Sequence, residues 1–264
     1  LKAICNSIVS FDNVDLKAAT ERGIYVTNTP GVLTETVADL TFGLILTAAR
    51  RIVESDKFLH TGQWRGWGPT QFLGLDVHGK TLGILGLGRI GSAVAKRAKG
   101  FDMRVIYYDV VRYEQVEKEL GLAFLPLEVV LRESDFISVH VPLISETKHF
   151  VSEKELGMMK ETAFLINTSR GPVIDEEALI KALKSGEIRG AALDVWDPEP
   201  PKIDNPLLKM DNVVALPHIA SASVETRTRM IEMAIENLNA ILRGKTPPNL
   251  VNRDVVKVRP LASS

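Results

Sequence analysis

The chain has 264 residues, is 45% hydrophobic and 25% charged, and carries a formal net charge of −1, the profile of an ordinary globular protein with one large or two small domains. That charge gives no reason to expect a nucleic-acid or anionic-membrane partner, and no apolar run of about 18 residues or more marks a membrane span. Cys5 is the single cysteine, so no internal disulfide is available, and a reducing cytoplasmic setting without a secretory leader is expected.

In chain order, residues 1–5 and 24–28 read as strands, with a helix over 15–22 between them. Cys5 sits beside Ala3 and Ile4 and reads as core. Residues 34–60 read as one long helix, because Leu40, Leu44, Ile45 and Ala48 recur at helical spacing. The Gly- and Trp-rich residues 62–69 follow neither period and read as an ordered loop. From Gly79 the alternation becomes regular. Strands are predicted over 81–85, 104–108, 135–139, 163–167, 190–195 and 213–216, and helices include 90–99, 113–120 and 176–184. A last helix over 224–242 leads to a Pro-rich tail. Strands alternating with helices predict an α/β fold, a doubly wound parallel sheet covered on both faces.

Gly86-Leu87-Gly88-Arg89-Ile90-Gly91 is a G-x-G-x-x-G run. It follows a predicted strand and opens a predicted helix. The next strand ends at Asp109, with 17 residues between Gly91 and that acid. In this context the pattern reads as a dinucleotide-binding (Rossmann) loop. Gly86 permits the tight turn, Gly88 lets backbone approach the pyrophosphate, and Gly91 lets helix and strand pack. The helix N-terminus offers free N–H groups to phosphate. Asp109 would accept hydrogen bonds from the ribose hydroxyls and repel a 2′-phosphate, so NADH is expected over NADPH. Arg112 nearby is the residue that would soften that preference.

Three further segments fall at predicted strand ends, where open α/β sheets bind ligands. They are residues 167–171 (Asn-Thr-Ser-Arg-Gly), 194–200 (Asp-Val-Trp-Asp-Pro-Glu-Pro) and 216–221 (Leu-Pro-His-Ile-Ala-Ser). Hydride transfer to a 2-oxo acid needs a cation for the carboxylate, a proton donor for the carbonyl oxygen, and a group to tune that donor. Arginine matches a carboxylate with its fork, histidine titrates near neutrality, and a nearby glutamate favours imidazolium and orients the ring. No metal is called for.

Taken together these segments, with Asn28-Thr29-Pro30-Gly31, resemble the D-isomer-specific 2-hydroxyacid dehydrogenase family, most of all its glyoxylate/hydroxypyruvate reductase branch. The resemblance runs from Leu1 to about Arg259. It implies a catalytic triad of Arg170, Glu199 and His218. It implies cofactor contacts from Arg89, Ile90, Asp109, Val141, Thr168 and Asp194, the last at the nicotinamide carboxamide. Amides at Val9 and Ser10 are implied to hold the substrate carboxylate.

The implied organisation is a substrate domain of residues 1–33 and 222–264 and an NAD domain of 34–221, with the site in a cleft between them. A small 2-oxo or 2-hydroxy acid is the implied substrate. Within the family, phosphoglycerate, phosphite or formate are alternatives, and an NAD-sensing corepressor-like protein is the alternative outside catalysis. Residues 34–78 are implied to form a dimerisation helix and loop, because an apolar helix outside the sheet needs a second subunit to cover it. Trp67 would then enter the partner's pocket of a homodimer.

Two departures stand out. Ser10 occupies a position where the family usually has glycine, which would cost about 1 kcal/mol or more at a positive φ. The chain also opens inside an apolar run, so roughly 60–70 further N-terminal residues, a small domain's share, are expected in the parent protein.

Overall fold

The computed structural model describes residues 1–261. The chain divides into two compact units, Leu1–Thr36 with the segment from Ser221 onward, and Val37–Ala220.

In the first unit β1 (Ala3–Cys5) and β2 (Tyr25–Thr27) pair in parallel. Between them α1 (Leu16–Glu21) starts where the Asp15 carboxylate accepts the Ala18 N–H at 2.9 Å, a cap worth about 1 kcal/mol. The long helix α9 (Val224–Leu242) is capped in the same way by Ser223 on Thr226 N–H. A small core of Tyr25, Ile241 and Val255 ties the strands to α9 and α10 (Val255–Val258). Cys5, expected in the core, is only partly buried there and its thiol is free.

The second unit holds a seven-stranded, wholly parallel sheet. Its strands are β3 (Thr81–Leu85), β4 (Arg104–Tyr108), β5 (Ala123–Phe124), β6 (Phe136–Val139), β7 (Phe164–Asn167), β8 (Gly190–Leu193) and β9 (Val213–Ala215). Their spatial order is β5-β4-β3-β6-β7-β8-β9. The chain winds outward from β3 in one direction and from β6 in the other, so the order reverses between those two strands. Strands β6, β7 and β8 are buried at every position, which explains why they read as continuous apolar runs.

The two faces of this sheet are covered by different helices. Leu82, Ile84, Val105 and Tyr107 pack against α2 (Thr34–Ala49) and α4 (Arg89–Ala98). Leu85, Ile106, Ile137 and Leu165 pack against α6 (Leu127–Glu133), α7 (Glu153–Leu156) and α8 (Glu176–Ser185). Each fully buried leucine or isoleucine contributes about 1.5–3 kcal/mol. The helix α5 (Glu114–Leu120) ends at Gly121 in the left-handed conformation, the usual glycine stop.

The long helix predicted over 34–60 is two helices. It breaks at Arg51, which has φ +54 and precedes α3 (Ile52–His60). The cause lies far along the chain. Leu75 N–H caps the end of α2 by donating to Ala49 O at 2.8 Å, and Gly74 lies so near that a Cβ would stand 2.3 Å from that oxygen. The returning loop takes the space a continued helix would need. The expectation that α2 requires a second subunit is also corrected. Ala38, Phe42, Leu44, Ile45, Ala48 and Ala49 are buried in the unit's own core. The exposed apolar residues are instead on α3 and the loop after it, notably Ile52, Leu59, Trp64 and Leu73, with Trp67 at 85% exposure. Strand β5 and helices α6 and α7 are too short to show a period in the sequence. Among the described residues no helix is long and apolar enough to cross a membrane.

Candidate active site

The loop of residues 86–91 lies at the reversal point of the sheet, between the exits of β3 and β6. Gly86 has φ +95, and a Cβ there would stand 3.0 Å from the His140 carbonyl carbon and the Val141 nitrogen. A Cβ at Gly91 would stand 2.2 Å from Gly86 O, whereas one at Gly88 would meet nothing within 4 Å. The loop is therefore tight where the chain turns and packs, and open where a ligand's phosphates would approach. Gly88 is also the N-cap of the ten-residue α4 and offers no side-chain cap, leaving the helix's first amides for an anion. Arg89 and Ile90 are the first two residues of that helix.

Asp109 follows β4 and closes the other side of the loop. Its Oδ2 accepts Leu87 N–H at 2.7 Å and its Oδ1 accepts Val111 N–H at 3.2 Å. Arg112 is turned away into a two-pronged pair with Glu117, Nε at 3.0 Å and Nη2 at 2.9 Å. Hydrogen bonds from Arg112 and from the Tyr107 hydroxyl hold the Glu117 carboxyl below its ordinary range. These residues fit a dinucleotide: a positive helix end for phosphate, and one carboxylate beside it for ribose hydroxyls.

The second group of residues leaves the sheet at β7, β8 and β9, which are adjacent. Asn167 ends β7 and builds the turn that carries Arg170. Its Oδ1 accepts Ser169 N–H at 3.0 Å and its Nδ2 donates to Arg170 O at 2.9 Å. The Ser169 hydroxyl donates to Val141 O at 2.9 Å, tying this turn to the exit of β6. Thr168 is buried, with its hydroxyl 3.0 Å from that of Thr41 on α2. Arg170 Nη1 donates to Ser169 O at 2.6 Å.

Glu199 follows β8 and His218 follows β9. A Glu199 carboxylate oxygen is hydrogen-bonded to Nδ1 of His218. A carboxylate at Nδ1 accepts the proton carried by that nitrogen, so Nε2 is the ring nitrogen left over from this pair. The pair is about 40% exposed, so a small molecule has access to it. His218 has φ +55. Asp194, just past β8, is fully buried and accepts the N–H groups of Ile219 and Ala220.

Val9 and Ser10 lie in the first unit. Val9 O accepts from Asn28 Nδ2 at 2.6 Å. Ser10 keeps an ordinary negative φ, since it is absent from the residues on the positive side, so the backbone cost expected of serine there does not arise. Its hydroxyl is buried without a hydrogen-bond partner, as are those of Thr27 and Thr29.

Sequence reasoning missed the residues that hold the site: Asn167 and Ser169, and Trp196, whose indole donates to Leu216 O at 2.9 Å. All lie inside the motifs, but nothing in their spacing announces the partner across the sheet.

A doubly wound parallel sheet with a glycine loop at its reversal point and an acid next to that loop is a nicotinamide-dinucleotide-binding domain. Residues 42–220 match the model of the NAD binding domain of D-isomer specific 2-hydroxyacid dehydrogenases. The chain belongs to that family. It is 60% identical over 261 residues to a glyoxylate reductase of Korarchaeum cryptofilum, covering 98% of this chain and 79% of the relative. Among solved structures it is similar to the TT0316 protein of Thermus thermophilus, with a TM-score of 0.90 and 50% identity over 95% of this chain and 79% of that one. It is also similar to an NADPH-dependent glyoxylate/hydroxypyruvate reductase of Sinorhizobium meliloti, solved with NADP and malonate, with a TM-score of 0.87 and 38% identity over 95% of this chain and 77% of that one.

Proposed function

We propose that this protein reduces a small 2-oxo acid, glyoxylate or hydroxypyruvate, at the expense of NADH. The observation that carries the reading is the Glu199–His218 pair, set at the exits of β8 and β9 beside the Arg170 turn at the exit of β7. When bound, the cofactor supplies a hydride to the carbonyl carbon. The glycine loop and the start of α4 hold its phosphates, and Asp109 takes its ribose hydroxyls. Val141 and Thr168, just past β6 and β7, would line its site.

Arg170 holds the substrate carboxylate. His218, protonated, donates from Nε2 to the carbonyl oxygen as negative charge develops there, and Glu199 keeps the ring in the required tautomer and orientation. NADH is preferred to NADPH, because Asp109 repels a 2′-phosphate and Arg112, engaged with Glu117, is not free to offset it. The unit formed by Leu1–Thr36 and the segment from Ser221 acts as the substrate domain, and the protein works as a cytoplasmic homodimer through the exposed apolar surface of α3 and its loop. Names of relatives such as the Korarchaeum glyoxylate reductase support the substrate class. Steady-state oxidation of NADH by the full-length protein with glyoxylate, hydroxypyruvate and pyruvate tests the reading. Turnover with none of them overturns it.

A further inference from the structure

Tyr107 lies in β4 and is fully buried, and Asp109 stands just past the same strand. The Tyr107 hydroxyl accepts Tyr113 N–H at 2.9 Å and donates to Glu117 Oε1 at 2.8 Å. Burial pushes that hydroxyl up to about 12, so at neutral pH it keeps its proton and remains a donor. Glu117, on α5, also accepts Arg112 in two prongs, Nε on Oε1 and Nη2 on Oε2. Asp109 Oδ1 meanwhile accepts Val111 N–H at 3.2 Å, which folds the chain just before Arg112 back onto the carboxylate. The backbone of Arg112 thus starts beside Asp109, while its guanidinium is carried to α5.

A typical surface ion pair contributes little and does not fix a long side chain. This pair differs in three ways. Its two-pronged geometry gives direction as well as strength. The Glu117 side chain is 11% exposed and that of Arg112 is 56% exposed, so the anchor is covered and the cation faces solvent. The anchor also receives a third hydrogen bond, from a hydroxyl whose ring belongs to the core of the sheet. Moving Arg112 away would leave a covered carboxylate short of its charged donor, which is costly. Among residues 109–113, the turn that joins β4 to α5, Arg112 is the only cation. An arginine is also the side chain best matched to a phosphate.

We infer that Glu117 is a specificity-determining residue of the cofactor site, a positioning residue that acts through Arg112. It holds on α5 the one cation of this turn that could take a 2′-phosphate, and its removal admits a 2′-phosphorylated dinucleotide. Two separate devices then exclude that ligand: the charge of Asp109 repels it, and Glu117 withholds the cation that would attract it. The inference deepens the proposed preference for NADH and rests on the placement of the cofactor ribose at Asp109.

The test measures the Kd of NADH and of NADPH by nicotinamide fluorescence on the full-length protein, together with the thermal midpoint. Binding is the readout, so the result does not depend on which acid is reduced. E117Q keeps the length of the side chain and an acceptor for Tyr107 while removing the charge; E117A removes both. Each is made in the parent and in D109A, and each is combined with R112A. E117Q and E117A are expected to tighten NADPH at least fivefold and to leave NADH within about twofold, in the parent and in D109A alike. Adding R112A is expected to return the Kd of NADPH to within about twofold of the protein that retains Glu117. A gain for NADPH that survives R112A overturns the inference, because Arg112 is then not the group released. So does an unchanged Kd of NADPH in both backgrounds. An equal change for both cofactors, including loss of both with a lowered midpoint, makes Glu117 a structural residue and overturns it too. NADH that binds D109A as tightly as the parent overturns the placement of the ribose instead, and is read separately from the dependence of the NADPH gain on Arg112.

Discussion

A Cβ on Gly171 would stand 1.9 Å from the carbonyl oxygen of Trp196. Two strand exits are thereby pressed together at the residue next to Arg170, and only a residue without a side chain fits between them. Gly171→Ala is expected to push the Arg170 turn away from β8, at a cost of about 1–3 kcal/mol as for other overpacked sites. The KM for the 2-oxo acid should rise while the Kd of NADH stays close to its original value. A crystal structure of the variant with Arg170 undisplaced would count against this reading.

The proposed triad separates by kinetic parameter. Arg170→Ala removes the carboxylate anchor and is expected to lose substrate binding and rate together. His218→Ala is expected to lower kcat by roughly 10²–10⁴ with little change in cofactor affinity. Steady-state kinetics in both substrates distinguishes the two, and unchanged turnover in His218→Ala would remove this residue from the chemistry.

Cofactor choice is expected to reside in Asp109. Asp109→Ala should narrow or reverse the NADH preference in kcat/KM by removing the repulsion of a 2′-phosphate. It should also weaken binding of both cofactors, because the Asp109 carboxylate holds the Leu87 amide of the glycine loop at 2.7 Å. Equal efficiency with NADH and NADPH in the unmodified protein would show that Asp109 does not discriminate.

His140 predicts an acid-labile fold. Burial pushes its imidazole from 6.5 down to about 3, and its Nε2 is 2.8 Å from the Ser138 hydroxyl. The folded protein keeps the ring neutral while the unfolded chain takes up a proton below pH 6.5. The unfolded state therefore binds more protons in this window, and stability is lost as pH falls from 6.5 towards 3, at about 1.4 kcal/mol per pH unit at most. Urea unfolding at pH 7 and pH 5 should show the drop, and His140→Gln should flatten it. A slope that survives the substitution belongs to other groups.

Trp67, 85% exposed on the loop after α3, is expected to become buried in a homodimer and to narrow the partner's substrate pocket. Sedimentation of the full-length protein should give a dimer, and Trp67→Ala should widen the range of 2-oxo acids reduced. A monomeric active enzyme would dismiss this role.

Much of the fold was legible in local pattern. The strands and helices from Thr81 onward announce themselves because buried parallel strands are continuous apolar runs and amphipathic helices repeat at 3.6 residues. The glycine loop was legible for the same reason: Gly86 and Gly91 are constrained by the adjacent strand exit and by atoms within the same strand-turn-helix, while Gly88 stays open. The candidates Arg170, Glu199 and His218 could be named from residue type alone, since chemistry restricts which side chains could serve, and the structure brings Glu199 and His218 together.

What the sequence could not determine is where a residue's constraint lies far away along the chain. The break at Arg51 lies where Gly74 and Leu75 return to α2, the amides of Ile219 and Ala220 after His218 are held by Asp194, and the space beside Gly171 is closed by Trp196. Each depends on two segments meeting across the sheet at distances of 2–3 Å, and periodicity carries no information about such meetings. The sequence alone determined which elements form and which chemical groups are present; the tertiary structure decided which backbone groups those side chains hold, because hydrogen bonds and steric exclusion act between neighbours in space.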